Sequence, residues 1–114
     1  MLAYWSRDRV RGARLPMPEV VRMLTSQSAS AVGLNDRGRI APGYKADLNV
    51  IDYDRVQLSA PQAVYDLPTG GRRIVQRAQG YVATVVSGQV TYREGTATGA
   101  LPGRVVRGPQ AGPL

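Results

Sequence analysis

The sequence contains neither cysteine nor histidine in its 114 residues. Without cysteine the chain has no disulfide framework and no thiolate-bound zinc site. Without histidine it lacks the commonest general base and the commonest metal ligand. Serines and threonines are plentiful, but nothing is present to activate them, and the only lysine, Lys45, lies in a predicted turn. The sequence therefore argues against an autonomous enzyme, and we assign no catalytic or metal-binding residue to it; substrate-binding residues stay unassigned.

Long apolar runs and most aromatic residues are also missing. The opening residues, MLAYWSRDRV, have no apolar segment of the kind that signal peptides carry. No run of about 18 apolar residues occurs, so no segment is expected to span a membrane. These features predict a cytoplasmic protein. Phenylalanine is absent and tryptophan occurs once, so any core must be aliphatic.

The charge is strongly basic, with 15 Lys and Arg against 8 Asp and Glu and a net charge of +7. A basic chain raises the alternative of a nucleic-acid-binding module. However, the arginines are scattered from Arg7 to Arg107 rather than clustered, which favours an ordinary solvated surface. Binding to a specific nucleic acid is therefore not expected, although a small basic nucleic-acid-binding or protein-interaction module remains the alternative reading.

The first third of the chain carries helix signals. Pro18 suits a first helical turn, because the amide that proline lacks would have no partner there. Thr25 and Ser26 are residues that can cap a second short helix over Gln27–Val32, and Gly33 is a typical residue after a helix end. We predict two short helices here. A DNA-reading helix is not favoured, because the second helix is too short and carries few polar side chains at its start.

Strand signals begin after residue 35. Leu48–Ile51 predicts a short strand and Arg73–Gln76 a second one. The clearest pattern is a hairpin in which Val82–Val86 and Gln89–Tyr92 flank the two-residue turn Ser87-Gly88. A lone hairpin is marginal in water, so it should pair with one of the other two strands. The Gly- and Pro-rich residues 100–114 are expected to fray.

Two sequence patterns could form a ligand-binding site. Asp52 and Asp54 would share one face of an extended chain and could hold a hard cation. The further oxygens and downstream Glu that a calcium loop needs are missing, so a strand-ending turn is the favoured interpretation. Gly70-Gly71-Arg72-Arg73 could cradle an anion with backbone amides and a guanidinium, but it lacks the spacing of a phosphate loop. Neither pattern is specific.

Three stretches resemble a known family. GRIAPGYKADLNVID, from Gly38, is similar to the Gly-x-Ile-x-Pro-Gly-x-x-Ala-Asp-Leu run near the C-terminus of metal-dependent amidohydrolases. TSQSASAVGL and VVSGQVTYREG resemble the helix before that run and the closing strands after it. WSRDRVRGARLP and DLPTGGRRIVQRAQG are similar to the N-acyl-D-amino-acid deacylases, or D-aminoacylases, within that family. The resemblance covers about residues 4 to 107.

The resemblance implies zinc in the parent enzyme, held by histidines of a catalytic barrel, with a catalytic Asp before the Trp-x-Arg-Asp-Arg segment. None of those motifs stands in this chain, so no residue is carried over as a ligand or catalyst. The chain resembles the part after the active site, and we expect it to be an excised piece or a truncated gene product. The parent activity implied is hydrolysis of the amide bond of N-acyl-D-amino acids. An arginine clamp would suit the substrate carboxylate, but the sequence assigns that role to none of Arg7, Arg9 or Arg72.

We therefore predict an α+β fold, in which two short N-terminal helices precede a small, mostly antiparallel, incomplete β-sandwich. The predicted segments are a lead-in from the barrel (1–16), a helical segment (17–34), a β-rich portion (35–99) and a tail (100–114). The chain itself is expected to be catalytically silent, without a cofactor, and structural. Its expected partners are the barrel and N-terminal strands of the parent enzyme, with self-association through exposed strand edges as a further expectation.

Overall fold

The computed structural model describes all residues, 1–114, and its first third is helical. A π-helical turn covers Tyr4–Asp8, and a longer helical run follows after Pro16. That run comprises α1 (Met17–Arg22), a π-helical turn (Met23–Gln27) and α2 (Ser28–Ala31). Pro18 lies in the first turn of α1, as the sequence predicted. Leu34 N–H bonds to Ala29 O and Gly33 N–H to Ser30 O, a Schellman ending that confirms Gly33 as the helix stop.

The predicted caps of the second helix are wrong. The chain does not leave the helical conformation between α1 and α2, so Thr25 and Ser26 lie inside a continuous run. The Thr25 hydroxyl donates back to Val21 O at 2.7 Å, and the Ser28 hydroxyl donates to Met23 O at 2.5 Å. Such back-bonding is the usual alternative for these side chains within a helix. The widened turn at Met23–Gln27 takes the place of the predicted break.

A four-stranded antiparallel sheet forms the largest β element, in the order β1-β6-β7-β8. Its strands are β1 (Leu48–Ile51), β6 (Tyr81–Val86), β7 (Gln89–Arg93) and β8 (Thr96–Ala97). Ser87 and Gly88 both have positive φ, 50° and 79°, which is the mirror-image turn that two-residue hairpins favour. The predicted hairpin is confirmed, and of its two possible partners it pairs with β1.

A two-stranded ribbon, which we name the arm, covers residues 57–79. It consists of β2 (Gln57–Leu58) paired with β5 (Ala78–Gln79), and β3 (Gln62–Val64) paired with β4 (Arg73–Val75). Ser59-Ala60-Pro61 lies between β2 and β3, and the loop at residues 66–71 forms the tip. Only β4 of these four strands was predicted. The α+β class with mostly antiparallel strands is confirmed.

The tail, which was expected to fray, is bonded to the end of the helical segment at Gln110. Gln110 N–H bonds to Gly33 O at 2.8 Å, and Asn35 N–H bonds to Gln110 O at 3.1 Å. These two bonds form a parallel bridge between Leu34 and Gln110. The prediction considered only glycine and proline content, whereas an extended chain can pair its backbone with any free polar segment.

The core is small for the chain length. Only Val20, Val56 and Gly80 are buried. The radius of gyration is 16.5 Å, whereas a compact domain of this length has about 13 Å. No helix packs along either face of the four-stranded sheet, and no helix is both long and apolar enough to cross a membrane. The chain is thus an open arrangement of a helical segment, a sheet and an arm.

Candidate functional site

Acidic side chains do not gather into a metal site in this structure. No group of three or more Asp and Glu side chains lies close enough together to hold a metal ion. Zinc in proteins takes mainly histidine and cysteine ligands in sets of three or four, and the sequence has neither residue. The residues of this chain therefore do not fit the zinc ion that the resemblance implies for the parent enzyme.

The two aspartates that could share a strand face do not do so. Residues 53–55 form a turn, so the extended geometry that would align Asp52 with Asp54 is absent. The Asp52 carboxylate instead accepts a bond from Arg55 N–H at 3.3 Å. The strand-ending turn is the correct one of the two readings.

The glycine-arginine loop at the tip of the arm is closed on itself. Gly70 N–H bonds to Leu67 O at 3.1 Å, so this amide does not point at an anion. Arg73 bonds to both carboxylate oxygens of Asp66 at 2.6 Å. These hydrogen bonds from Arg73 lower the pKa of the exposed Asp66 carboxyl. The loop therefore does not form the anion cradle considered from the sequence.

A polar cluster, which we name the Asp36 cluster, joins the turn before Gly38 to the family-like stretch Gly38 to Asp52. Arg37 bonds to Asp36 at 2.9 Å and to Asp47 at 3.3 Å, and Lys45 Nζ lies 2.8 Å from Asp36. The Asp36 side chain is only 14% exposed. Hydrogen bonds from Arg37 and then Lys45 lower the pKa of Asp36 from 3.8 to about 2. Lys45, the lone lysine, is thus part of an ion-pair network.

Asp47 connects this cluster to the hairpin. Its carboxylate accepts a bond from Ser87 N–H at 2.8 Å, in the turn between β6 and β7. The neighbouring carbonyl of Ala46 accepts a bond from Gly88 N–H at 3.0 Å. The Ala-Asp-Leu element therefore holds the hairpin turn and leads directly into β1, which pairs with β6. This is the role that the structure gives to the Ala-Asp-Leu element.

Arg7 forms the second polar cluster, between the N-terminal segment and the base of the arm. It donates to both oxygens of Asp8, at 2.6 and 3.0 Å. It also donates to the carbonyls of Tyr53, of Asp54 at 3.0 Å and of Val56 at 2.7 Å. An arginine has five N–H donors, and this set accounts for all of them. Arg7 is therefore unsuited to clamping a substrate carboxylate in this arrangement.

The other two arginines considered for a clamp differ from Arg7. The Arg9 guanidinium lies 4.4 Å from the centre of the Trp5 ring and donates to Arg11 O at 2.6 Å. Arg72 is exposed at the arm tip, and the structure shows no ion pair for it. The three arginines are not brought together, so the structure assembles no clamp from them.

The two edges of the four-stranded sheet differ. The edge strand β8 has two residues and is followed by Thr98, whose N–H bonds to Thr91 O at 2.9 Å. A short polar edge of this kind does not favour further pairing. The opposite edge strand, β1, contains Leu48, Val50 and Ile51, and Val50 is 51% exposed. The β1 edge is therefore the part of the sheet best suited to accept another strand.

Sequence reasoning missed the Arg7 contacts and the link from Asp47 to Ser87. The bonds from Arg7 to residues 53–56 and from Ser87 to Asp47 join segments 40 or more residues apart, so no local pattern identifies which two segments pair. The available signal was the Ala-Asp-Leu run itself, because a short acidic side chain just before a strand is well placed to accept backbone N–H groups.

An uncovered sheet, one open edge and two polar clusters that join segments leave this chain with large exposed surfaces. A model described as "Amidohydrolase family" matches residues 2–92. The chain belongs to this amidohydrolase family, as the sequence motifs indicated. No solved structure matches the chain.

Several curated proteins are similar to the chain. A D-aminoacylase of Alcaligenes xylosoxydans xylosoxydans is 32% identical over 106 residues, which are 93% of this chain and 19% of the relative. Adenine deaminase 1 of Agrobacterium fabrum is 31% identical over 117 positions, 92% of this chain and 20% of the relative. A 5-methylthioadenosine/S-adenosylhomocysteine deaminase of Desulfitobacterium hafniense is 46% identical over 54 residues, 46% of this chain and 12% of the relative. The chain spans about a fifth or less of the length of these relatives.

Proposed function

We propose that this chain is the C-terminal, structural part of a zinc-dependent amidohydrolase and is catalytically silent by itself. The observation that carries the proposal is the amount of uncovered surface. The chain exposes 8702 Å², whereas a folded monomer of 12.3 kDa exposes about 6,100 Å². The excess, roughly 2,600 Å² by that scaling, supports a larger polypeptide that covers this surface.

The open sheet indicates where part of that larger polypeptide would bind. The β1 edge is unpaired and apolar, and no helix lies on either sheet face. In our proposal, N-terminal strands of the parent enzyme pair with β1 and complete a β-sandwich. The backbone groups on the outer side of β1 would then gain the partners that an edge strand lacks.

The proposed parent reaction is hydrolysis of the amide bond of N-acyl-D-amino acids. The D-aminoacylase relative aligns with 93% of this chain and adenine deaminase 1 of Agrobacterium fabrum with 92%, so coverage does not choose between them. Support for the D-aminoacylase reaction comes from the WSRDRVRG and DLPTGGRRIVQRAQG motifs. In such an enzyme the metal activates the water that attacks the amide. The residues of this chain supply no metal ligand, so its proposed contribution is to hold the catalytic part in place.

The test compares the 114-residue chain with a full-length polypeptide that carries it. We expect amide hydrolysis of N-acyl-D-amino acids from the full-length protein with zinc, and none from the chain alone. Calorimetric titration of the chain with zinc should show no stoichiometric binding. N-acyl-L-amino acids and adenine serve as control substrates. Micromolar zinc binding or hydrolysis by the chain alone would contradict its silent role, and preferred turnover of adenine would contradict the substrate class.

A further inference from the structure

The arm adjoins other parts of the chain at its base, where Leu58 and Ala78 line a pocket together with Met1–Tyr4 and Tyr81, and its outer part is uncovered. None of residues 57–79 is buried, and neither the helical segment nor the four-stranded sheet packs along the arm. Ribbons of two strands are at best marginally stable in water unless a third strand or another layer covers them. The arm therefore lacks the layer that such a ribbon requires.

Side-chain hydrogen bonds also join the two sides of the arm. The Asp66–Arg73 pair closes its tip with two bonds of 2.6 Å. Nearer the base, Gln57 Nε2 donates to Gln79 Oε1 at 3.1 Å, and Gln76 Nε2 donates to Ser59 O at 3.1 Å. A ribbon that is already ordered loses less conformational entropy when it binds.

Apolar side chains and positive charge dominate the surface of the arm. Leu58 and Ile74 are each 65% exposed, and Tyr65 is 67% exposed. Ile74 lies opposite Ala63, and cross-strand neighbours share a face. The charged side chains of the arm are one acidic residue, Asp66, and three basic ones, Arg72, Arg73 and Arg77. The surface of the arm thus combines exposed apolar side chains with an excess of basic side chains.

We propose that the arm is a docking element that binds an apolar surface edged with carboxylates on the catalytic part of the same polypeptide. This inference rests on the proposed function. A second copy of the chain is a poorer occupant, because each copy carries a net charge of +7 and the arms themselves are basic. A standard interface also covers only about 800 Å² per partner, against the uncovered excess of roughly 2,600 Å².

Hydrogen–deuterium exchange tests the inference with the chain alone and with the full-length polypeptide that carries it. The probes are the amides of β3 and β4 in the arm, and the amides of β1 report on the sheet edge. We expect arm amides to exchange quickly in the free chain and at least tenfold more slowly in the full-length protein. Ile74→Ser should remove most of that protection, whereas the matched variant Ile40→Ser, at an 89% exposed isoleucine outside the arm, should leave it unchanged.

The possible outcomes distinguish a failure of the docking role from a failure of the proposed function. If β1 is protected in the full-length protein but the arm exchanges as fast as in the free chain, the docking role is wrong and the structural role of the chain stands. If neither region gains protection, both fail. If arm protection appears in the free chain and rises with its concentration, a second copy is the occupant. Equal loss of protection in Ile74→Ser and Ile40→Ser also overturns the specific role of the arm.

Discussion

The four-stranded sheet and the arm are both antiparallel, yet they are held by different means. In the sheet, the β6–β7 hairpin gains a third strand, β1, and its turn is bound by Asp47. The arm has two strands only, and its tip is closed by one exposed ion pair. The comparison shows that strand pairing alone does not determine how firmly an element is held. The number of strands and the contacts at the turn do.

The two regions meet at Gly80, which separates β5 of the arm from β6 of the sheet. A Cβ atom at this position would lie 2.6 Å from Val56 N and 2.7 Å from Val56 Cα, and φ is +85°. Gly80→Ala should therefore cost about 3 kcal/mol, the sum of backbone strain and overlap. Thermal unfolding measures this loss. The control is Gly95→Ala, where φ is +77° and a Cβ has open space; equal losses in the two variants would show that close packing at Gly80 is unimportant.

Arg7 fixes the N-terminal segment at the base of the arm. Arg7→Lys keeps the charge but removes the planar set of donors that reaches Asp8 and three carbonyls. We expect a clearly lower melting temperature and faster hydrogen exchange in residues 53–56. Arg11→Lys is the matched control, since the Arg11 side chain makes no hydrogen bond in the structure. A melting temperature for Arg7→Lys equal to that of the unsubstituted chain would mean that the hydrogen bonds of the Arg7 guanidinium contribute nothing to joining the segments.

A substitution in the β6–β7 hairpin turn tests how much the turn geometry contributes to the stability of the sheet. Gly88→Val places a β-branched residue at a φ of 79° and should cost on the order of 1 kcal/mol or more. A Cβ at Gly88 has no neighbour within 4 Å, so the loss would come from backbone strain. Gly103→Val is a suitable control, because Gly103 has open space and no positive φ. Denaturant unfolding measures both; an unchanged midpoint for Gly88→Val contradicts the turn geometry.

The lowered pKa of Asp36 predicts that the folded chain loses stability in acid. The pKa of Asp36 is about 2 in the folded chain, below its ordinary value of 3.8. A lowered pKa in the folded state stabilises the fold above the ordinary value, and this contribution is lost as the pH falls from about 4 towards 2. Unfolding experiments along this pH range should show a smaller acid dependence in Asp36→Asn than in the unsubstituted chain. Parallel curves for the two proteins would contradict the coupling.

The ion pair at the arm tip should matter least. Both side chains of the Asp66–Arg73 pair are about half exposed, 52% and 51%, and exposed pairs contribute little to stability. Asp66→Asn should leave the melting temperature of the free chain almost unchanged while it loosens the tip. NMR relaxation of residues 66–73 measures that local effect. A large fall in melting temperature would show that the arm is more closely coupled to the sheet than the structure indicates.

The sequence predicted what is local in this fold. The β6–β7 hairpin was recognisable because two β-branched runs flank a two-residue turn, and β1 kept the predicted bounds Leu48–Ile51. The arm was mostly missed, because Gln57–Leu58 and Gln62–Val64 are short and interrupted by Pro61. The Thr25 and Ser26 caps failed because the same side chains bond equally well to a carbonyl one turn back. The segment boundaries proposed from the sequence remain predictions.

In the candidate site too, local motifs were recognised from the sequence, whereas contacts between distant segments were not. Family motifs placed the Gly38 to Asp54 stretch correctly within the amidohydrolase family, but they did not reveal that Asp47 binds the turn at Ser87. That contact depends on a separation of 40 residues, which single-sequence patterns do not encode. The ligand readings of Asp52 and of Gly70-Gly71 failed because each backbone closes a turn of its own.

The backbone bridge between Leu34 and Gln110 has a mechanical consequence. It closes the intervening chain into a loop, so residues 35–109 leave and return to the helical segment at one point. A force applied between the helical segment and the C-terminal residues would load the two bonds of Gln110 before it reached the sheet or the arm. Once the bridge opens, the connection between the helical segment and the C-terminal residues would run only through the sheet and the arm, so these elements would then carry the force.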